Sequence, residues 1–182
     1  VSFRSPGEKI NNMKGWCIPA HGKDYEVKDK EAIEASLPKV DGSELINDVR
    51  VKILQIPAAD PGNIVGYEYE VEENPLVLQD NWVFQHEAPV REAHYSLQLP
   101  PGWEYRASFL NYPDTKPEQS NGQWSWTITD LKGVRGEEDM PPSNGIQAQL
   151  IVNFLPPGGP GLKGFSNWQG MGSWYTSLTT GR

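Results

Sequence analysis

At 182 residues the chain is long enough for one ordinary domain, or for a sandwich with an appended element. A formal net charge of −8 repels phosphate backbones and anionic lipid, which sets nucleic acid and charged membrane surfaces aside as partners. Seven Trp, seven Tyr and five Phe supply much of the core area, while 18 Gly and 16 Pro are spread out as turns between short strands would need. No apolar run approaches the roughly 18 residues of a membrane span. The lone Cys17 makes neither an internal disulfide nor a CxxC site. A first residue of Val rather than Met points to a fragment, with any signal peptide upstream.

Alternation with a period of two, cut by Pro and Gly, governs most of the chain. Met13 to Ile18 and the Tyr25–Val27 segment read as a hairpin around Ala20-His21-Gly22-Lys23. Lys30 to Leu37 reads as a short helical turn closed by Pro38. Asp48 to Ile56 sets Val49, Val51 and Ile53 against Arg50 and Lys52. After the Asp60-Pro61-Gly62-Asn63 turn, Val65, Tyr67, Tyr69 and Val71 alternate with Glu68, Glu70 and Glu72. These two runs predict a hairpin with its basic and acidic rows facing each other. In the central stretch Asn81 to Tyr105, Trp82 and Phe84 share a face; after Pro89, so do Ala93, Tyr95, Leu97 and Leu99. After Pro100-Pro101-Gly102, Trp103, Tyr105, Ala107 and Phe109 do the same. Asn111 to Gly122 reads as a polar loop, Trp124, Trp126 and Ile128 as one strand face, and Lys132 to Gly145 as a long connection. Ile146 to Leu155 is the last strand, ended by the Pro156–Gly161 run. The period then becomes helical: Trp168, Met171, Trp174 or Tyr175, and Leu178 form an apolar stripe, and Ser166 with Gln169 matches a capping box. Eight or nine strands followed by one helix predict a mainly β fold, an antiparallel sandwich with a C-terminal amphipathic helix.

Catalytic constellations are weak. A thiol nucleophile needs a base and an orienting group, yet Cys17 sits inside an apolar strand next to Trp16 and Ile18. The candidate bases His21, His86 and His94 have no motif relation to it. His86, Glu87 and His94 do not form HExxH, and the run Glu137-Glu138-Asp139 lacks the spacing of a calcium loop. No carboxylate pair is singled out by an apolar setting. No Lys and Ser/Thr follow the Pro156–Gly161 run, which is not a phosphate loop. The residues therefore predict no catalytic, metal or cofactor site. Tryptophan on a sandwich face can hold sugar rings, but Trp82, Trp103, Trp124 and Trp126 all lie on predicted core faces.

Several ordered segments resemble the DUF3857 domain. They are Asp48-Val49-Arg50-Val51-Lys52, Pro61 to Tyr69, Trp82-Val83-Phe84-Gln85, Pro89-Val90, Leu99-Pro100-Pro101-Gly102-Trp103, Met140-Pro141-Pro142 and Trp168 to Tyr175. The resemblance implies an immunoglobulin-like β-sandwich over residues 1–162. Residues 163–182 would be a helix connecting to a transglutaminase-like domain of papain-like fold. The family's Cys-His-Asp triad would lie beyond Arg182, leaving this chain non-catalytic. Trp168, Met171, Trp174, Tyr175 and Leu178 are then the expected interdomain contacts. The expected role is an accessory domain of an exported bacterial protein, periplasmic or extracellular, positioning the catalytic domain or a protein or peptide substrate. A carbohydrate- or cell-wall-binding module is the alternative. The family also carries a strand upstream of Met13, whose loss would leave a sheet edge open.

Overall fold

The computed structural model of the chain describes residues 1–36, 48–158, 164–165 and 167–180. The fold is mainly β, as expected, and is consistent with a β-sandwich: among the described residues it has antiparallel three-stranded sheets, none closed into a barrel, and one C-terminal helix. Contacts divide the chain into two compact units, Val1–Pro75 and Leu76–Arg182.

In the first unit, β1 (Ser2–Arg4), β5 (Val49–Ile53) and β4 (Ile33–Ser36) form one sheet in the order β1-β5-β4. The other is β3 (Tyr25–Lys28), β2 (Glu8–Ile18) and β6 (Ile64–Glu73), in the order β3-β2-β6. The β2–β3 hairpin is the predicted one, with Cys17 opposite Tyr25 and Lys14 opposite Lys28. Strand β2 begins at Glu8, and β1 precedes it.

Two expectations fail in this unit. The predicted β5–β6 hairpin does not form: β5 pairs with β1 and β4, while β6 pairs with β2. Local adjacency and opposite charge are satisfied by other partners, because Arg50 and Lys52 meet Glu34 and Asp29, whereas Glu68 meets Lys14. The predicted helical turn after Lys30 is instead a single 3-10 turn, Asp29–Glu31, followed by β4, so that Ile33 and Ala35 join a ladder with Ile53 and Val51. Leu37 and Pro38, which were to close that turn, lie outside the described residues.

The face of β5 is also inverted. Ile53 is exposed and Lys52 is only 6% exposed. Lys52 Nζ donates to the Ile10 carbonyl at 3.2 Å and pairs with Asp29 at 2.6 Å, which compensates the buried ammonium. Phe3, Ile10, Met13, Cys17 and Val27 form the buried apolar set of this unit. Gly66 is required by a close approach. A Cβ there would come within 2.3 Å of the Trp16 ring, which lies against it on the outer face of the sheet.

The second unit pairs β7 (Gln79–Val83), β12 (Gln149–Leu155) and β9 (Glu104–Leu110) in the order β7-β12-β9. Its other sheet is β10 (Glu118–Ser120), β11 (Gln123–Leu131) and β8 (Val90–Gln98), in the order β10-β11-β8. The inner faces match the predicted alternation. Tyr95 and Leu97 of β8, Trp126 and Ile128 of β11, and Leu150 and Val152 of β12 meet Phe84 and Ala148 in one buried cluster. Gly102, at φ +82°, makes the turn by which the chain leaves β8 in one sheet and enters β9 in the other. The predicted polar loop after Asn111 contains the short strand β10. Ile146 falls beside a 3-10 turn, Ser143–Gly145, and the last strand starts three residues later than expected.

The expected tryptophan core is only partly realised. Trp126 is buried and Trp124 packs against the cluster, but Trp82 is 44% exposed. It points to the inner face opposite Leu150, with its ring 5.7 Å from that of Tyr95. Its strand, β7, is an edge strand, so one side of the indole meets solvent.

Candidate interaction surface

The helix α1 (Trp168–Thr179) carries all five residues singled out as contacts. At 100° per residue, Trp168, Tyr175, Met171, Leu178 and Trp174 fall on one arc roughly 120° wide. Polar residues occupy the rest: Gln169, Ser173, Thr176 and Ser177. Such a stripe normally faces a core, yet α1 contains no buried residue. Trp168 is 85% exposed, and Tyr175 and Leu178 are also open. Trp174 and Met171 are half-buried, and the Trp174 ring lies 5.2 Å from that of Phe165. The predicted cap at Ser166 lies outside the described residues. Asn167 caps the helix instead, its side-chain oxygen accepting from the Gly170 N–H at 2.8 Å. Asn167 is a standard N-cap residue, so this signal was available in the sequence.

The other candidates do not converge. Cys17 is fully buried and its Sγ donates to the Ala58 carbonyl at 3.1 Å. His21 and His86 are exposed. His94 is also exposed, with Nε2 at 2.7 Å from Glu92 and Nδ1 at 2.9 Å from Thr127, on the wetted face of β8. Glu137, Glu138 and Asp139 lie on an exposed connection. Among the described residues no three His, Cys, Asp or Glu side chains gather as a metal site would need. A groove of about 480 Å³ beside β9 is lined by Tyr105, Phe109, Asp114, Lys116 and Trp126 among others, with one carboxylate and one ammonium. That set does not supply the two carboxylates of acid–base hydrolysis.

Two polar features escaped the sequence reading. Tyr95 donates to Asp80 at 3.0 Å; burial first, and the Asp80 carboxylate second, push its hydroxyl well above the ordinary tyrosine range. Asp29 is held below the usual carboxylate range by its hydrogen bond from Lys52 and then by the Met13 N–H. Both are pairings across sequence separations that no local pattern reveals.

The sequence pattern of a family described as a "Domain of Unknown Function with solved-structure structure (DUF3857)" matches residues 1–135. The chain belongs to the DUF3857 family. The matched span of this DUF3857 chain ends before β12 and α1. No curated protein matches it. Among solved structures, it is similar to one described as "a putative protease from Parabacteroides distasonis ATCC 8503", with a TM-score of 0.66 and 15% identity over 86% of the chain. At that identity the likeness concerns the fold. The DUF3857 chain spans 32% of that protein's length. Among its described residues, no helix is long and apolar enough to cross a membrane.

Proposed function

We propose that this DUF3857 chain is a non-catalytic accessory domain of an exported bacterial protein, and that α1 docks it on a transglutaminase-like or cysteine-protease-like catalytic domain. The observation that carries the reading is α1 itself, an aromatic helical stripe with no buried residue. Burying such a side chain contributes on the order of 2 kcal/mol, so a partner domain would gain substantially from covering it. The likeness to a protein about three times as long adds support, since a catalytic domain needs chain outside the matched region. The buried Cys17, hydrogen-bonded to a carbonyl, supports the non-catalytic part. Export, to the periplasm or beyond, rests on the family resemblance. A protein or peptide substrate is the partner class this role implies.

The test compares the 182-residue chain with the longer protein that carries it. Amidase, peptidase and acyl-transfer turnover is expected only from the longer protein, where amide exchange in α1 should slow. Turnover by the short chain that survives both purification controls and Cys17→Ala would overturn the proposal. The carbohydrate-binding alternative has less support, because Trp124 and Trp126 are engaged in the core and the Trp82 ring rests on Tyr95.

A further inference from the structure

Strand β6 is ten residues long and lies at the edge of its sheet; among the described residues it has β2 on one side and no strand on the other. In such a strand about half of the backbone N–H and C=O groups point away from the neighbour, ready to pair with another chain. Its two faces differ sharply in chemistry. Glu68, Glu70 and Glu72 form one row, and Val65, Tyr67, Tyr69 and Val71 the other, all of them exposed. The second row shares the inner face with Cys17 and Ile10, yet Tyr67 is 65% exposed. The Tyr67 and Tyr69 rings are 6.3 Å apart and within 7° of parallel. They line an open cleft of about 590 Å³ together with Val1, Met13, Ile53 and Ile56.

Charge selects the occupant. Glu70 and Glu72 accept from the neutral amides of Asn12 and Asn11, at 2.6 and 3.4 Å. Glu68 lies 3.9 Å from Lys14, and Lys9 stands opposite Glu72 in the ladder, so the carboxylates outnumber the lysines behind them. A second copy pairing β6 to β6 would set glutamates against glutamates, which is unfavourable across a ladder. An incoming strand with basic residues on one face meets that row instead. Its other face would lie beside the tyrosines and the cleft.

We propose that β6 is a strand-docking edge for an extended polypeptide segment in which basic and apolar side chains alternate, held by β-augmentation. This surface belongs to the first unit and α1 to the second. Trp168→Asp is expected to leave it unchanged, so its failure is distinguishable from failure of the α1 reading.

The probe is an acetylated, amidated ten-residue peptide alternating lysine with valine or tyrosine, titrated into the isotopically labelled whole chain. Two further peptides carry N-methyl groups on one or the other alternate set of amides. Saturable shift changes concentrated in residues 64–72 are expected. One N-methylated peptide should bind like the parent, and the other at least about tenfold more weakly, because only one set of N–H groups faces β6. Glu70→Lys with Glu72→Lys should weaken the parent peptide about tenfold, since two favourable cross-strand pairs become repulsive. Equal binding of both N-methylated peptides would mean adsorption by charge alone and overturn the proposal. So would no saturable change up to about 1 mM peptide, shifts mapping elsewhere, or a dimer whose interface is β6.

Discussion

Substitutions at Lys52 and Asp29 should have unequal costs. Asp29→Asn preserves shape and an acceptor for the Met13 N–H, but leaves the buried ammonium facing a neutral amide, with the more distant Glu34 carboxylate, at 4.0 Å, as its remaining counter-charge. Breaking a fully buried pair costs about 3–5 kcal/mol. The Asp29 side chain is 45% exposed, so water takes over part of its role and the expected cost falls to about 2 kcal/mol, or roughly thirtyfold in the unfolding constant. Lys52→Met keeps the buried stem and loses the charged Nζ hydrogen bond to Ile10, worth about 1.5–3 kcal/mol, together with the pairing to Asp29 and Glu34, whose half-exposed carboxylates water can solvate, while removing the cost of burying charge. Its net effect should lie within about 1 kcal/mol of zero. The assay is urea unfolding followed at the amide signals of Ile10, Met13 and Val51, so that the first unit is read by itself. The pH dependence has a definite sign. Asp29 is depressed in the folded state, so its contribution is complete above the ordinary carboxylate value near 4 and disappears as pH falls through the depressed one. Asp29→Asn should flatten that slope. A Lys52→Met chain less stable than Asp29→Asn would refute the reasoning.

Further outcomes follow from packing. Leu150→Ala, fully buried near the start of β12, should cost about 2–5 kcal/mol in the second unit, measured by denaturant midpoint. Gly66→Ala should displace the Trp16 ring and destabilise the first unit by about 1–3 kcal/mol, with a red-shifted Trp16 emission when the other tryptophans are replaced by phenylalanine. Tyr95 is raised in the folded state, so its contribution is full below the ordinary tyrosine value near 10 and is lost as pH rises beyond it. Alkaline unfolding should therefore begin at higher pH in Tyr95→Phe, and an unchanged midpoint would contradict that role.

The second unit was legible because its strands alternate cleanly and bury what the alternation selects. Tyr95, Leu97, Trp126, Ile128, Leu150 and Val152 were all chosen by period alone. The first unit was less legible because its pairings ignore sequence proximity. Val49, Val51 and Ile53 look like an inward row, but the buried residue of β5 is Lys52, whose charge is compensated by Asp29, 23 positions earlier. The clean alternation of β6 likewise suggested a half-buried strand, whereas Val65, Tyr67, Tyr69 and Val71 are all exposed, Tyr67 and Tyr69 over an open cleft in place of a packed layer. The α1 stripe could be read because helical spacing is local. Its exposure could not, because that depends on what covers it.

The order β7-β12-β9 has a consequence for how the chain is made. Among the described residues β7 and β9 each find their ladder partner only in β12, which emerges from the ribosome last of the three. Until Leu155 has been synthesised, two nascent strands wait with open edges and no mate, and closure must span about 70 residues. A fragment trimmed at residue 135, where the family match stops, would keep both strands waiting indefinitely and should be recovered as aggregate. The folding boundary of this unit is therefore set by β12, beyond residue 135 where the family match stops.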